Sequence, residues 1–243
     1  MKIQKLLLLT AAACLLSGAA AMADDGVLNW SGAYAGAIVD VNFGNTHYAL
    51  PGDLNDVLLQ DRKEHTSLAA GGVAGFNWQS GATVFGIEGD ITSGNGTSSV
   101  TACTKVDGCF TSAHDSFTTL NHLKTDWSGR VRGRLGWTSG PMLFYAAAGY
   151  SFADTKLSLV GLCYDPANPP VPMVFNFARS RTLSGFNLGA GIERAVSEDV
   201  SVRAEYLYED FGNTRYAGEA PEWNDRRISV RNSAVRVAVA YHF

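Results

Sequence analysis

From Val235 onward every second residue is large and apolar (Val235, Val237, Val239, Tyr241, Phe243), while the intervening side carries Arg236 and His242. A period of two is that of a β-strand with one apolar and one polar side. The same alternation predicts strands at about 31–43, 66–78, 82–91, 127–137, 141–151, 183–193, 200–210 and 232–243. Their connections differ in kind. Those after the first, third, fifth and seventh strands are long and polar (44–65, 92–126, 152–182, 211–231), whereas those after the second, fourth and sixth are short (79–81, 138–140, 194–199). A chain that crosses a membrane eight times, with tight turns on one side and long loops on the other, generates this alternation. A periplasmic sandwich or lipocalin-like barrel is the competing architecture, but it has no reason to keep every long loop on an odd connection. The expected fold is therefore all-β: an eight-stranded antiparallel up-and-down transmembrane β-barrel with four long external loops and short periplasmic turns.

The two faces can be assigned strand by strand. In the segment 127–137, Trp127, Gly129, Val131, Gly133, Leu135 and Trp137 share one face, and Arg130, Arg132 and Arg134 share the other. Arginines facing lipid are costly, so these three are expected to point into the lumen. By the same reasoning Glu88 and Asp90 point inward on the third strand, Glu193 on the sixth, Arg203, Glu205 and Glu209 on the seventh and Arg236 on the eighth. Trp127, Trp137, Tyr206, Tyr208, Tyr241 and Phe243 are candidates for the aromatic girdles at the two membrane interfaces.

At the other end of the chain, Lys2 and Lys5 precede an apolar stretch from Leu6 to Leu16 and an Ala21-Met22-Ala23 ending. This reads as a secretory signal at 1–23, removed before folding, with 24–243 as the barrel domain. Cys14 lacks the leucine expected three residues before a lipidated cysteine. The formal net charge of -4 becomes -6 without Lys2 and Lys5, a balance that argues against nucleic acid as a partner. Beyond the signal no stretch has the length of a membrane helix, so a membrane role requires a barrel. Cys103 and Cys109 are close enough to staple a loop tip by a disulfide, leaving Cys163 free or paired elsewhere. Cysteines and histidines are too few and too scattered for a metal site.

Five segments in order carry a family resemblance: Asn29–Gly36, Trp127–Gly136, Gly185–Glu193, Ser201–Tyr208 and Val235–Phe243. Together they resemble the small outer-membrane β-barrel (porin-family) proteins of alphaproteobacteria, similar to the major surface antigens of Brucella and the hemin-binding proteins of Bartonella. The resemblance implies location in the outer membrane of a Gram-negative bacterium, in contact with its lipid and lipopolysaccharide. It also implies a carboxy-terminal aromatic signal, here Tyr241 and Phe243, read by the outer-membrane assembly machinery during biogenesis. No cofactor is expected, although the family includes heme binders. The long loops, 92–126 above all, depart from the family pattern and carry over no external ligand.

Three functions are compatible with these residues. An eight-stranded interior is narrow enough for side chains to fill, so the inward charges would form a paired core and the protein would serve a structural and surface role in the envelope. Gaps between the same side chains would instead make a small porin for hydrophilic solutes. The third reading is a surface-binding protein or adhesin for heme or a host ligand, using loop residues such as His47, His65, His114, His122, Tyr48, Phe117, Tyr164 and Tyr216. Catalysis has little support: the run Ser112-Ala113-His114-Asp115 is adjacent in sequence, which does not create the geometry of a triad.

Overall fold

The computed structural model describes residues 29–49, 60–103, 117–163, 173–216 and 226–243. Eight strands follow in chain order: β1 (Gly32–Ala49), β2 (Gln60–Ser80), β3 (Thr83–Cys103), β4 (Phe117–Ser139), β5 (Met142–Cys163), β6 (Met173–Ala195), β7 (Val200–Tyr216) and β8 (Arg226–His242). Each pairs antiparallel with its sequence neighbours, and β8 returns to β1, from Tyr34↔His242 to Ala49↔Arg227, to close the barrel. The proposed signal at 1–23, the partner cysteine Cys109, the Ser112–Asp115 run and Tyr164 lie outside the described residues.

One end of the barrel is built from tight turns. Ser80 pairs with Thr83 and Ser139 with Met142, and the two-residue turns between them begin with Gly81 (φ 59°) and Gly140 (φ 55°). A positive φ at the first turn position is what closes a hairpin without splaying its strands, and glycine reaches it without steric cost. The turns fall within two residues of the positions read from the sequence.

The other end departs from expectation. Large parts of the segments 44–65, 92–126, 152–182 and 211–231, read as loops, are strand: β1 runs on to Ala49, β3 to Cys103, β5 to Cys163 and β7 to Tyr216. Strands of 17 to 23 residues are about twice the 9–11 that cross a bilayer. Beyond the hydrocarbon both faces of a strand can be wet, so backbone pairing continues after the apolar alternation has lapsed. His47, His65 and His122 accordingly sit on β1, β2 and β4, and Phe117 and Tyr216 occupy strand ends rather than loops.

Among the described residues, pairing is not continuous around this end. β2 and β3 pair from Ser80↔Thr83 only to Ala69↔Gly94, and β6 and β7 only from Ala195↔Ser201 to Phe186↔Asp210. Each seam opens beside a bulge, between Ser93 and Gly96 on β3 and between Asp210 and Asn213 on β7. Bulges bend and twist a strand and end its pairing. Among the described residues above the seams, ladder pairing links β7-β8-β1-β2 and, separately, β3-β4-β5-β6. Leu123, Ala153, Leu157 and Leu183 from one sheet pack with Phe211 and Ile228 from the other.

The two faces of the wall are opposite in character. Val131 is 63% exposed and the adjacent Arg132 only 2%; Ile87, Leu135, Trp137, Phe144, Leu188 and Tyr206 are likewise exposed outward. In water so broad an apolar surface would be a liability. Against hydrocarbon it is the surface a membrane barrel needs.

Candidate functional site: the charged interior of the barrel

The alternation that sends Val131 outward sends Arg130, Arg132 and Arg134 inward from β4, and strand register places carboxylates opposite them. Asp90 faces Arg130 and Glu88 faces Arg132 across β3 and β4; Glu193 faces Arg203 across β6 and β7; Arg236 lies between Glu205 and Asp40. The resulting groups form three tiers along the barrel axis.

In the tier nearest the two sheets, Arg130 donates from Nη1 to Asp90 Oδ1 (2.7 Å) and from Nε to Glu209 Oε1 (2.7 Å). Arg236 donates to Asp40 Oδ1 (2.9 Å) and to Asp90 Oδ1 (3.0 Å). In the middle tier Arg132 binds Glu88 through Nε (2.8 Å) and Glu205 through Nη2 (2.8 Å), and the Tyr145 hydroxyl also donates to Glu205. In the tier nearest the turns Arg134 donates to Glu193 Oε2 (2.6 Å) and to the Tyr34 hydroxyl (3.0 Å). Tyr34 in turn donates to Glu88 Oε2 (2.6 Å), and Arg203 bridges Glu88 and Glu193. Every one of these charged side chains is at most 2% exposed.

Several of these bonds cross the barrel rather than follow its wall. Arg130–Glu209 and Arg132–Glu205 join β4 to β7, and Arg203–Glu88 joins β7 to β3. A guanidinium offers five donors in a planar fork, so it can hold a neighbouring carboxylate and a distant one together. Small residues make the crossing possible: a Cβ at Gly189 would lie 3.0 Å from Glu205 Oε1 and 3.2 Å from Arg132 Nη1. Apolar clusters lie beyond the ionic tiers on both sides, Leu123, Leu157 and Leu183 with Phe211 and Ile228 toward the sheets, and Trp30, Val84, Leu143 and Ala195 toward the turns.

All ten charged positions singled out in the sequence (Glu88, Asp90, Arg130, Arg132, Arg134, Glu193, Arg203, Glu205, Glu209, Arg236) are buried in this one assembly. The assembly also contains residues that the sequence reading passed over. Asp40 is fully buried, and its alternation with Val39 and Val41 was the available signal. Tyr34, Tyr145, Ser151, Asn187 and Ser201 supply hydroxyl and amide partners, a role that alternation alone does not reveal. His242 Nε2 lies 3.0 Å from Ser201 Oγ and 3.7 Å from Glu193 Oε1. The Ser201 hydroxyl itself donates to Glu193 (2.6 Å), so these three do not form a nucleophile–base–orienter relay. Among the described residues no group of three or more His, Cys, Asp or Glu is arranged to hold a metal ion.

Tyr241 and Phe243 face outward, 47% and 77% exposed, with ring centroids 5.1 Å apart. The Phe243 amide is tied to Ala33 on β1 (2.9 Å). Cys103 ends β3, and its pairing with Cys109 lies outside the described residues.

Residues 9–243 match the family model described as "Outer membrane protein beta-barrel domain". Among curated proteins the chain is 30% identical over 190 residues to the 22 kDa outer membrane protein of Rhizobium leguminosarum bv. viciae, covering 77% of this chain and 67% of that protein. It is 29% identical over 177 residues to the 31 kDa outer-membrane immunogenic protein of Brucella melitensis (71% of this chain, 65% of that protein). It is 25% identical over 217 residues to the 25 kDa outer-membrane immunogenic protein of Brucella abortus (88% and 80%). Among solved structures, the outer membrane protein OprG of Pseudomonas aeruginosa aligns over 89% of this chain and 98% of its own, with 9% identity and a TM-score of 0.48. The topology itself rests on the strand pairing above.

Proposed function

We propose that this chain, which belongs to the outer-membrane protein β-barrel domain family, works as a closed barrel that holds a two-sheet binding surface outside the cell. It is an outer-membrane protein of a Gram-negative bacterium with a structural and surface role, as its Rhizobium and Brucella relatives indicate. The observation that carries the proposal is the state of the bore: five arginines are matched across it by six carboxylates, and apolar clusters lie on both sides. Opposite charges within hydrogen-bond distance exclude the water that a diffusive pore needs.

With the tight turns toward the periplasm, as in barrels of this class, the two sheets stand outside and are the place for recognition. The outward apolar band would contact outer-membrane lipid and lipopolysaccharide. Tyr241 and Phe243, exposed on the last strand, would be offered to the assembly machinery during biogenesis. The test is solute uptake: proteoliposomes containing folded protein should take up small sugars no faster than empty liposomes. Uptake that scales with protein content and falls with solute size would establish the porin reading instead.

A further inference from the structure

The outward wall is not evenly covered. On β2 and β3 its side chains are large: Phe76, Trp78, Phe85 and Ile87 are all exposed. On β5 and β6, register instead sets Ala146 directly opposite Ala190, with Leu135 of β4 on one flank and Tyr206 of β7 on the other. Two methyl groups between larger neighbours leave an outward-opening groove of about 850 Å³, walled by Leu135, Trp137 and Phe144 on one side and Ile192 and Tyr206 on the other. The Tyr206 hydroxyl donates to Ser233 Oγ on β8 (3.0 Å), which draws its ring away from β6 and leaves the alanines uncovered. The groove lies toward the turns, because Ala146 is only four residues beyond Met142, where β5 begins. At that same end Glu193 is buried inward, so alternation turns the half-buried Arg194 outward, on the side of Ala190 and Ile192.

We propose that this groove is a binding site for a phospholipid of the periplasmic leaflet, with acyl chain lying over Ala146 and Ala190 and phosphate engaged by Arg194. Three features select this occupant. The groove is continuous with the apolar wall that faces hydrocarbon, so whatever fills it comes from the membrane. Its shape suits a chain better than a second barrel. Neighbouring strands lie about 4.8 Å apart, so the floor is roughly 10 Å across; the convex wall of another copy would rest on Leu135 and Tyr206 without reaching the alanines, whereas a flexible hydrocarbon chain can follow the floor. Charge is the third feature. Arg194 and Trp137 stand at the turn end of the groove, the level at which cations and aromatic rings meet headgroups, and a guanidinium matches a phosphate through paired hydrogen bonds. With the turns toward the periplasm, as proposed above, that headgroup layer is phospholipid rather than lipopolysaccharide. The site rests on the outward wall lying in the membrane and is independent of whether the bore is closed.

The experiment titrates the folded barrel in detergent with dioleoyl phosphatidylglycerol, with dioleoylglycerol, which has the same chains and no phosphate, and with lipopolysaccharide, and counts bound lipid by native mass spectrometry. The expected result is saturable binding of one phosphatidylglycerol, at least tenfold tighter than dioleoylglycerol. Ala190→Phe, which fills the floor, should weaken binding of both at least tenfold, and Arg194→Gln should remove the preference for the phosphate. Heat-modifiable gel mobility shows which variants are folded, and Ala146→Leu fills the same floor should Ala190→Phe fail to fold. Uptake that grows without saturation, saturable binding unchanged in a folded floor variant, a phosphate preference that survives Arg194→Gln, or tighter binding of lipopolysaccharide would overturn the site. So would a dimer of the parent that is lost in Ala190→Phe, because the groove would then belong to a second copy of the chain. Conductance of the same preparation in a bilayer bears on the closed bore alone, so either proposal can fail without the other.

Discussion

Arg132 on β4 and Glu205 on β7 are hydrogen-bonded to each other across the interior of the barrel, Nη2 to Oε2 at 2.8 Å, although their strands are not neighbours in the wall. Arg132 also holds Glu88, so Arg132→Leu leaves two buried carboxylates short of a partner. Breaking such a buried pair from one side costs about 3–5 kcal/mol. Denaturant titration of refolded protein in lipid should show a loss of this order, and a variant as stable as the parent would show that the ion pairs do not hold the barrel shut.

The adjacent residue gives the complementary result. Val131 is exposed toward lipid, and arginine there should cost about 2–4 kcal/mol if the position lies near the bilayer midplane. Its effect should appear as poorer insertion and folding into vesicles and should shrink in loosely packed detergent. An unaffected Val131→Arg barrel would reverse the face assignment.

Orientation follows from the two ends. Ser80 lies beside the tight turn between β2 and β3, the end proposed to face the periplasm, and Tyr216 ends β7 on the opposite side. In a background without native thiols, a membrane-impermeant maleimide applied to intact cells should label Tyr216→Cys and leave Ser80→Cys unlabelled. The opposite labelling would invert the barrel.

The seams predict a gradient of backbone protection. Residues 186–194 of β6 are paired on both sides, while Met173–Gly185 pair with β5 and, among the described residues, not with β7. Across the gap Arg181 Nη1 donates to the Arg215 carbonyl at 2.6 Å, a side chain bridging where no backbone pairing is made. Hydrogen exchange should therefore be faster at the β7-facing amides of 173–185 than anywhere in 186–194. Uniform protection along β6 would mean that the barrel stays closed to its outer rim.

The parts of this architecture that were legible in the sequence are those governed by the membrane. Hydrocarbon on one side and a narrow interior on the other force strict alternation, so Arg130, Arg132 and Arg134 could be turned inward from their spacing alone, and Gly81 and Gly140 marked the turns. Where the membrane ends, the constraint ends. The outer halves of β3 and β5 read as loops because wet strands need no alternation, and the division into two sheets depends on bulges at Ser93–Gly96 and Asp210–Asn213 that no periodicity encodes. Within the interior, charge was legible and its neutral partners were not: nothing in the spacing of Tyr34 and Tyr145 indicates that strand register sets their hydroxyls beside Glu88 and Glu205. Asp40 is legible too, because it alternates with Val39 and Val41 on the first strand.

Single-channel recording in a planar bilayer tests the closed, ion-paired bore most directly. Folded monomer should give at most brief, irregular openings, and neutralising Arg132 should create no regular ones of defined selectivity in the parent protein's place. Reproducible open steps from the parent barrel, with an ion preference that changes in Arg132→Leu, would contradict the account, because lumen charge would then be lining a water path instead of closing it.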